Sequence, residues 1–279
     1  MKQFRVLDPN LPDCRARGLC ALAVMTKAPQ AGRVKTRLVP PLTPEEAAEL
    51  NKCFLRDTAT AISNAGSRRP VGDANKMQFD RACVSHPPSR SFGAAGSETA
   101  TAACGVAVYT PRGAESAYND ILPPDFSLLP QRGNKFGERL FFAVEDLFKC
   151  GFESVCLIDS DSPTVSAENF AEAVELLSTH EDRVVLGPSG DGGYYLIGVK
   201  KPHRHLFEQI DWSTERVLNQ TIDRATKIGL NVKLLPTGYD VDDDPSLRRL
   251  CTELLADTSG DIAPHTREFL VRLVARKEL

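Results

Sequence analysis

No stretch of the 279-residue chain approaches the roughly eighteen consecutive apolar residues that span a bilayer, so the sequence predicts no membrane insertion. Nor does the sequence predict a secretory leader. The opening MKQFRVLDPNLPDCRARG carries basic residues, but Gly18 to Met25 runs straight into Lys27 with no small-residue cleavage site, which predicts a cytoplasmic protein. There is no basic excess: 34 Lys and Arg stand against 37 Asp and Glu, a formal charge of -3. That balance excludes a broad nucleic-acid face, so any anion site must be local. The eight cysteines include no C-x-x-C pair, and the five histidines show no ligand spacing. Zinc modules and a disulfide framework are thereby excluded, and the thiols are expected reduced. What remains, with 42% hydrophobic and 25% charged residues, is an ordinary globular composition.

Along the chain, short apolar runs alternate with helical periodicity. Leu19 to Met25 reads as a buried strand that stops at a Pro/Gly loop. Thr43 is a candidate N-cap for a helix in which Ala47, Leu50, Phe54, Leu55 and Ile62 recur at helical spacing. Residues 67–104, rich in Ser, Gly, Ala and Pro, read as a flexible insertion. Strands are predicted at Gly105 to Thr110, Ser154 to Ile158, Arg183 to Leu186, Tyr194 to Val199 and Asn231 to Leu235. Helices are predicted through Phe136 to Phe148, Ser166 to Ser178 and Thr214 to Ile228, with two more at the C-terminus. This alternation predicts an α/β fold with a mainly parallel sheet covered on both faces, and a ligand crevice outside the carboxyl ends of its strands.

Three loops at predicted strand ends carry chemistry. KAPQAGRVKTRL presents Lys27, Gly32, Arg33, Lys35, Thr36 and Arg37: glycine allows close backbone approach to a phosphate, and the cations donate to its oxygens. A solvated basic turn is the competing reading. Asp159 and Asp161 flank Ser160 where a strand ends, which suits Mg²⁺ or Mn²⁺ held by carboxylates and phosphate oxygens, or an ordinary turn. GPSGDGG sets Asp191 among Gly187, Gly190, Gly192 and Gly193, as a substrate-binding loop or a hairpin turn. Asp240, Asp242, Asp243 and Asp244 repel one another, and either a cation or a helix N-terminus, with Asp244 as cap, would relieve that.

Taken in order, KAPQAGRVKTRL, IDSDSP, LGPSGDGGYYLIGV, IDWST and YDVDDDPSLRRL resemble a bacterial-type family related to GT-A nucleotide-diphospho-sugar transferases. That family is often filed as uncharacterised or as arsenosugar-type glycosyltransferases. The resemblance spans about Leu19 to Leu255 apart from the insertion. It implies a GT-A-like, Rossmann-like three-layer α/β/α sandwich. The whole of 1–279 is then one domain with its core at about 19–255, an insertion at 67–104 and a helical extension at 256–279. By position, Lys27, Gly32, Lys35, Thr36 and Arg37 match the phosphate-side loop, and Asp161 the strand-end aspartate. Asp191, Gly192 and Gly193 match the glycine turn, and Asp240 and Asp242 the late acidic pair. The resemblance thus implies Asp161 and Asp191 as catalytic, Gly192 and Gly193 as substrate-binding, and Mg²⁺ or Mn²⁺ on Asp161, Asp242, Asp159 and Asp240. Two departures stand out: Asp159 replaces a small residue, and Asp243, Asp244, Pro245 and Ser246 replace Thr-Pro-Glu-Asp.

The leading expectation is glycosyl transfer from a nucleotide sugar to a small-molecule acceptor. Nucleotidyl transfer from a triphosphate is the alternative, although Ala28, Pro29 and Ala31 stand where such enzymes carry G-G-x-G-x-R. A third reading is a catalytically silent binding domain, against which the number of charges around one crevice speaks. If one ion is shared, Asp161 and Asp242 must lie on neighbouring loops with their carboxylates within about 8 Å.

Overall fold

The computed structural model describes residues 4–67, 102–257 and 259–277. Most of the expected insertion lies outside the described residues. Its ends do not belong to it: Ser67 closes the first helix and Ala102 opens a strand.

In chain order the elements are β1 (Arg5–Val6), β2 (Leu19–Lys27), α1 (Pro44–Ser67), β3 (Ala102–Thr110), β4 (Ser127–Pro130), α2 (Phe136–Cys150), β5 (Ser154–Ile158), α3 (Ala167–Ser178), β6 (Arg183–Pro188), β7 (Tyr194–Val199), α4 (Val217–Lys227), β8 (Asn231–Leu234), α5 (Asp244–Ala256) and α6 (Pro264–Lys277). The strands form one sheet in the order β1-β4-β3-β2-β5-β7-β6-β8. All neighbours are parallel except β7, which runs antiparallel to both β5 and β6. The predicted α/β class is the observed one. β1 and β4 were not anticipated as strands, since two and four residues give no readable period.

Alternation along β2 sorts the layers. Cys20, Leu22 and Val24 face a layer formed by α1 and α3, where Leu55, Ile62, Phe170 and Val174 are buried. Ala21 and Ala23 face α2 and α4, whose Leu140, Val144, Leu147 and Ala225 fill the other side. Each fully buried Leu or Phe contributes about 1.5–3 kcal/mol relative to exposure. A third cluster joins Leu50, Cys53 and Phe54 of α1 to Leu250 and Leu254 of α5 and Leu270 and Leu273 of α6. The C-terminal helix is therefore packed into the body through α1.

Thr43 caps α1 as expected: its hydroxyl accepts from Glu46 N at 3.2 Å while its own N–H donates to the Glu46 carboxylate at 2.9 Å. Across the molecule, Asp57 of α1 accepts from His265 N and Thr266 N at 3.0 and 2.8 Å and from the Thr266 hydroxyl at 2.6 Å. A side chain of α1 thus satisfies the first turn of α6, whose N–H groups have no partner within their own helix. Among the described residues no helix is long and apolar enough to cross a membrane.

β2 is the switch point of the sheet: the chain goes to β3 on one side and returns through β5 on the other. Val24 pairs with Ile158, so β5 ends while β2 continues through Lys27. Because β7 is antiparallel, the loop joining β6 to β7 opens at this same edge. The basic loop, the two-aspartate turn and the glycine loop therefore converge, as a crevice at strand ends requires.

Candidate active site

The basic loop leaves β2 and folds on itself. Lys27 Nζ donates to Arg33 O at 3.0 Å, and Arg33 N to Gln30 O at 3.0 Å. Gly32 sits at φ +69° with no atom within 4 Å of where a Cβ would be, so its glycine serves the backbone turn alone. Lys27, Arg33, Thr36, Arg37 and Asn51 line a pocket of about 210 Å³. Arg37 is exposed on the short turn Thr36–Leu38 and makes no hydrogen bond or ion pair with the described residues.

Lys35 is placed differently from the expectation. Its side chain is only 4% exposed, and its ammonium contacts Asp161 Oδ1 at 2.7 Å and Asp242 Oδ1 at 2.9 Å. It also donates to Val241 O at 2.8 Å. Three donors thus meet three acceptors, and none is left for a phosphate. Burial pulls this lysine's pKa down, but the charges of Asp161 and Asp242 outweigh it, so the pKa stands above the ordinary value.

Asp161 and Asp242 do lie on neighbouring loops. Val241 N donates to Asp161 O at 2.9 Å, and the two carboxylate oxygens are at most the sum of their two contacts to Lys35 apart, inside the expected limit. Asp159 is half-buried. Its carboxylate accepts from the Ser162 hydroxyl at 2.8 Å and Asp161 N at 3.3 Å. Burial, helped by the charge of Asp161, pushes its pKa up to about 8. Asp240 accepts from the Ser189 hydroxyl at 3.2 Å, and burial together with Asp191 and Asp242 raises its pKa. Asp243, not Asp244, caps α5, in a reciprocal pair of 3.0 Å contacts with Ser246. Ser246, one of the departures noted in the sequence, serves that cap.

These aspartates do not fit the shared-metal expectation. A divalent ion needs oxygens at about 2.0–2.6 Å around one point. Here one pair closes on an ammonium and the other two aspartates turn to hydroxyls and backbone. Among the described residues no group of three His, Cys, Asp or Glu side chains is arranged to hold a metal ion.

The glycine loop is held by backbone. Ser189 N donates to Gly193 O at 3.0 Å, and Gly190 N to Gly238 O at 3.1 Å. Asp191 is exposed, with one oxygen accepting from Gly193 N at 2.9 Å. Gly192, at φ +89°, accepts from Leu218 N at 2.9 Å, which ties the loop to the start of α4. A Cβ there would lie 2.3 Å from Glu215 O. The glycines at 187 and 238 have a different use: a Cβ at either would lie 2.3 or 3.0 Å from the Tyr195 ring, which fills the space they leave. The Tyr195 hydroxyl donates to Pro236 O and accepts from Asn169 Nδ2, each at 3.0 Å.

Asp159, Asp191, Asp240 and Asp242 line one side of a second cleft of about 800 Å³, which meets the basic pocket at Arg37 and Asp242. Its other wall was not anticipated. Phe136 and Trp212 meet edge to face with ring centroids 5.1 Å apart, and Met25 and Leu140 continue the apolar surface. A Cβ on Gly137 would lie 2.6 Å from Trp212 Nε1, so this glycine lets the indole seat against α2. Arg249 also lines the cleft, its guanidinium 3.7 Å from the centre of the Tyr239 ring. The WST segment was the available signal, since it holds the chain's one tryptophan.

The fold matches solved structures over almost its whole length. A crystal structure from Desulfovibrio desulfuricans, provisionally assigned as a nucleotide-diphospho-sugar transferase, is 24% identical with a TM-score of 0.71, covering 93% of this chain and 96% of that one. The 4-diphosphocytidyl-2C-methyl-D-erythritol synthase of Anaerococcus prevotii aligns at 12% identity and TM-score 0.47, over 85% of this chain and 99% of that one. No curated protein sequence matches. The architecture is GT-A-like, and residues 97–214, which carry Asp159, Asp161 and the glycine loop, match the family described as an uncharacterized protein conserved in bacteria (DUF2064).

Proposed function

We propose that the protein is a transferase that takes a nucleotide-diphospho-sugar as donor and passes its sugar to a small-molecule acceptor. The observation that carries this reading is the division of the crevice into a basic pocket and a larger acidic and aromatic cleft that meet at Arg37 and Asp242. A diphosphate suits the first and a sugar with its acceptor the second, because anionic oxygens need donors while a sugar offers hydroxyls and an apolar ring face.

In this reading Lys27, Arg33 and Arg37 meet the charge that builds on the departing diphosphate, the kind of stabilisation that contributes most when donors are already in place. Arg37 fits because its fork makes no hydrogen bond or ion pair among the described residues, and Thr36 lines the same pocket. Asp191, exposed and oriented by Gly193 N, takes the proton of the acceptor hydroxyl as general base. Gly192 and Gly193 bring backbone close to the transferred group, and Phe136 and Trp212 supply the apolar face against which it stacks.

A thermal-shift series of nucleotide sugars, nucleoside diphosphates and nucleoside triphosphates tests the reading, since a ligand that binds only the folded state raises its melting temperature. Diphospho-sugars and diphosphates should stabilise, with loss of the effect in Arg37→Ala. A response to one triphosphate alone would replace glycosyl with nucleotidyl transfer.

A further inference from the structure

We propose that Lys35 is the resident cation of the Asp161–Asp242 pair, a positioning residue that occupies the point where the sequence places a divalent ion. The inference holds for glycosyl and nucleotidyl transfer alike.

Geometry supports it from three directions. The ammonium is saturated, with Asp161 Oδ1, Val241 O and Asp242 Oδ1 at 2.7, 2.8 and 2.9 Å. Three contacts to a buried ammonium are the full complement of its donors. Its stem is enclosed rather than extended into the crevice: the side chain is 4% exposed and Nζ lies 5.4 Å from the centre of the fully buried Phe54 ring. Finally, the backbone of Lys35 is left-handed, at φ +47° and ψ +37°, a conformation that side-chain-bearing residues seldom adopt. Such a residue persists where its surroundings hold it, and the three contacts supply that hold.

A dication between the same two oxygens would stand directly beside the lysine's buried ammonium, and like charges that close repel even though the Asp161 and Asp242 side chains are 34% and 43% exposed. The lysine thus does structurally what a shared ion would do. It draws the turn after β5 and the turn before α5 together and fixes Asp242 at the junction of the two pockets. Unlike a metal, it brings no exchangeable ligand position.

Two measurements test this on the full chain. Nitrogen-15 NMR of lysine ammonium groups should show a slowly exchanging Lys35 signal that keeps its shift when millimolar Mg²⁺ is added, alone or with uridine diphosphate. Disappearance of that signal on adding Mg²⁺ would overturn the proposal, because it would mean that the ion displaces the lysine. In Lys35→Ala the two carboxylates lose their cation, and because they are 34% and 43% exposed water takes up part of the loss, so the melting temperature should fall by roughly 5 °C. Mn²⁺ should restore most of that loss, and should fail to do so in Lys35→Ala/Asp161→Asn. A merely structural lysine would not produce rescue by a cation, so a fall without rescue overturns the proposal, as does an unchanged melting temperature. The NMR arm needs no variant and decides the matter if Lys35→Ala does not fold.

Discussion

Two glycines, both at positive φ, allow backbone strain to be separated from crowding. Gly32 (φ +69°) has open space where a Cβ would go, whereas at Gly192 (φ +89°) that atom would lie 2.3 Å from Glu215 O and 2.6 Å from Glu215 Cα. Alanine at 32 meets only the left-handed penalty of about 1–2 kcal/mol, partly offset by the stiffer unfolded chain, so its net cost is about 1 kcal/mol. Alanine at 192 adds to this an overlap with main chain that no rotamer relieves, and overpacking of this kind costs about 1–3 kcal/mol. The Glu215 backbone must retreat, which strains the 2.9 Å bond from Leu218 N to Gly192 O at the start of α4. Gly192→Ala should therefore cost about 2–4 kcal/mol. Urea unfolding monitored by circular dichroism reads both values as shifts in midpoint at constant slope. Equal losses in the two variants would refute the reasoning, for they would show that the contact with Glu215 contributes nothing. The same displacement moves Asp191, so Gly192→Ala should also weaken the response to nucleotide sugars, while Gly32→Ala separates that loss from simple instability.

Arg37→Ala should weaken nucleotide affinity by about one to two orders of magnitude in titration calorimetry while stability moves by less than about 0.5 kcal/mol, because a charge-assisted contact is lost at an exposed site; unchanged affinity removes Arg37 from the phosphate site. Asp57→Ala should lower stability by about 1–3 kcal/mol, since two N–H groups and a hydroxyl of α6 lose their acceptor; an unchanged urea midpoint contradicts the cross-helix cap. With its pKa pushed up to about 8 by burial, Asp159 holds a proton in the folded state that the unfolded chain releases near pH 4. Stability should therefore fall as pH rises from about 4 to about 8 and level off above. Asp159→Asn should flatten that fall, and an identical pH profile in variant and wild type would show that Asp159 ionises normally.

The sequence carried the layered fold because its strands and helices keep their own periods. The boundaries of β5 and β7 and the capping of α1 by Thr43 were readable to the residue. Convergence of the loops was also legible, since a parallel sheet sends its strand ends to one edge. Lys35 was misread for a physical reason. A lysine beside a glycine at a strand end looks alike whether its ammonium faces solvent or turns inward, and only the approach of Val241 and Asp242, more than 200 residues away, decides it. The aromatic wall was illegible for the same reason, because Phe136 and Trp212 belong to segments with no local motif in common and meet only when α2 docks. Tyr195 shows the reverse case: Gly187 was read as part of a substrate-binding loop or hairpin turn and Gly238 was left unremarked, whereas both make room for a ring.

Phe54, the ring beneath the Lys35 ammonium, belongs to the cluster that α1 shares with Leu270 and Leu273 of α6. Every motif-bearing loop precedes α6 in the chain, so during synthesis all of them emerge before the helix that backs this ring. Until α6 docks on Asp57, the cluster that holds Phe54 lacks Leu270 and Leu273, so the apolar side of the lysine's seat is less shielded from water. Completion of the lysine's seat is thus expected to wait on α6, an element absent from the lining of both pockets.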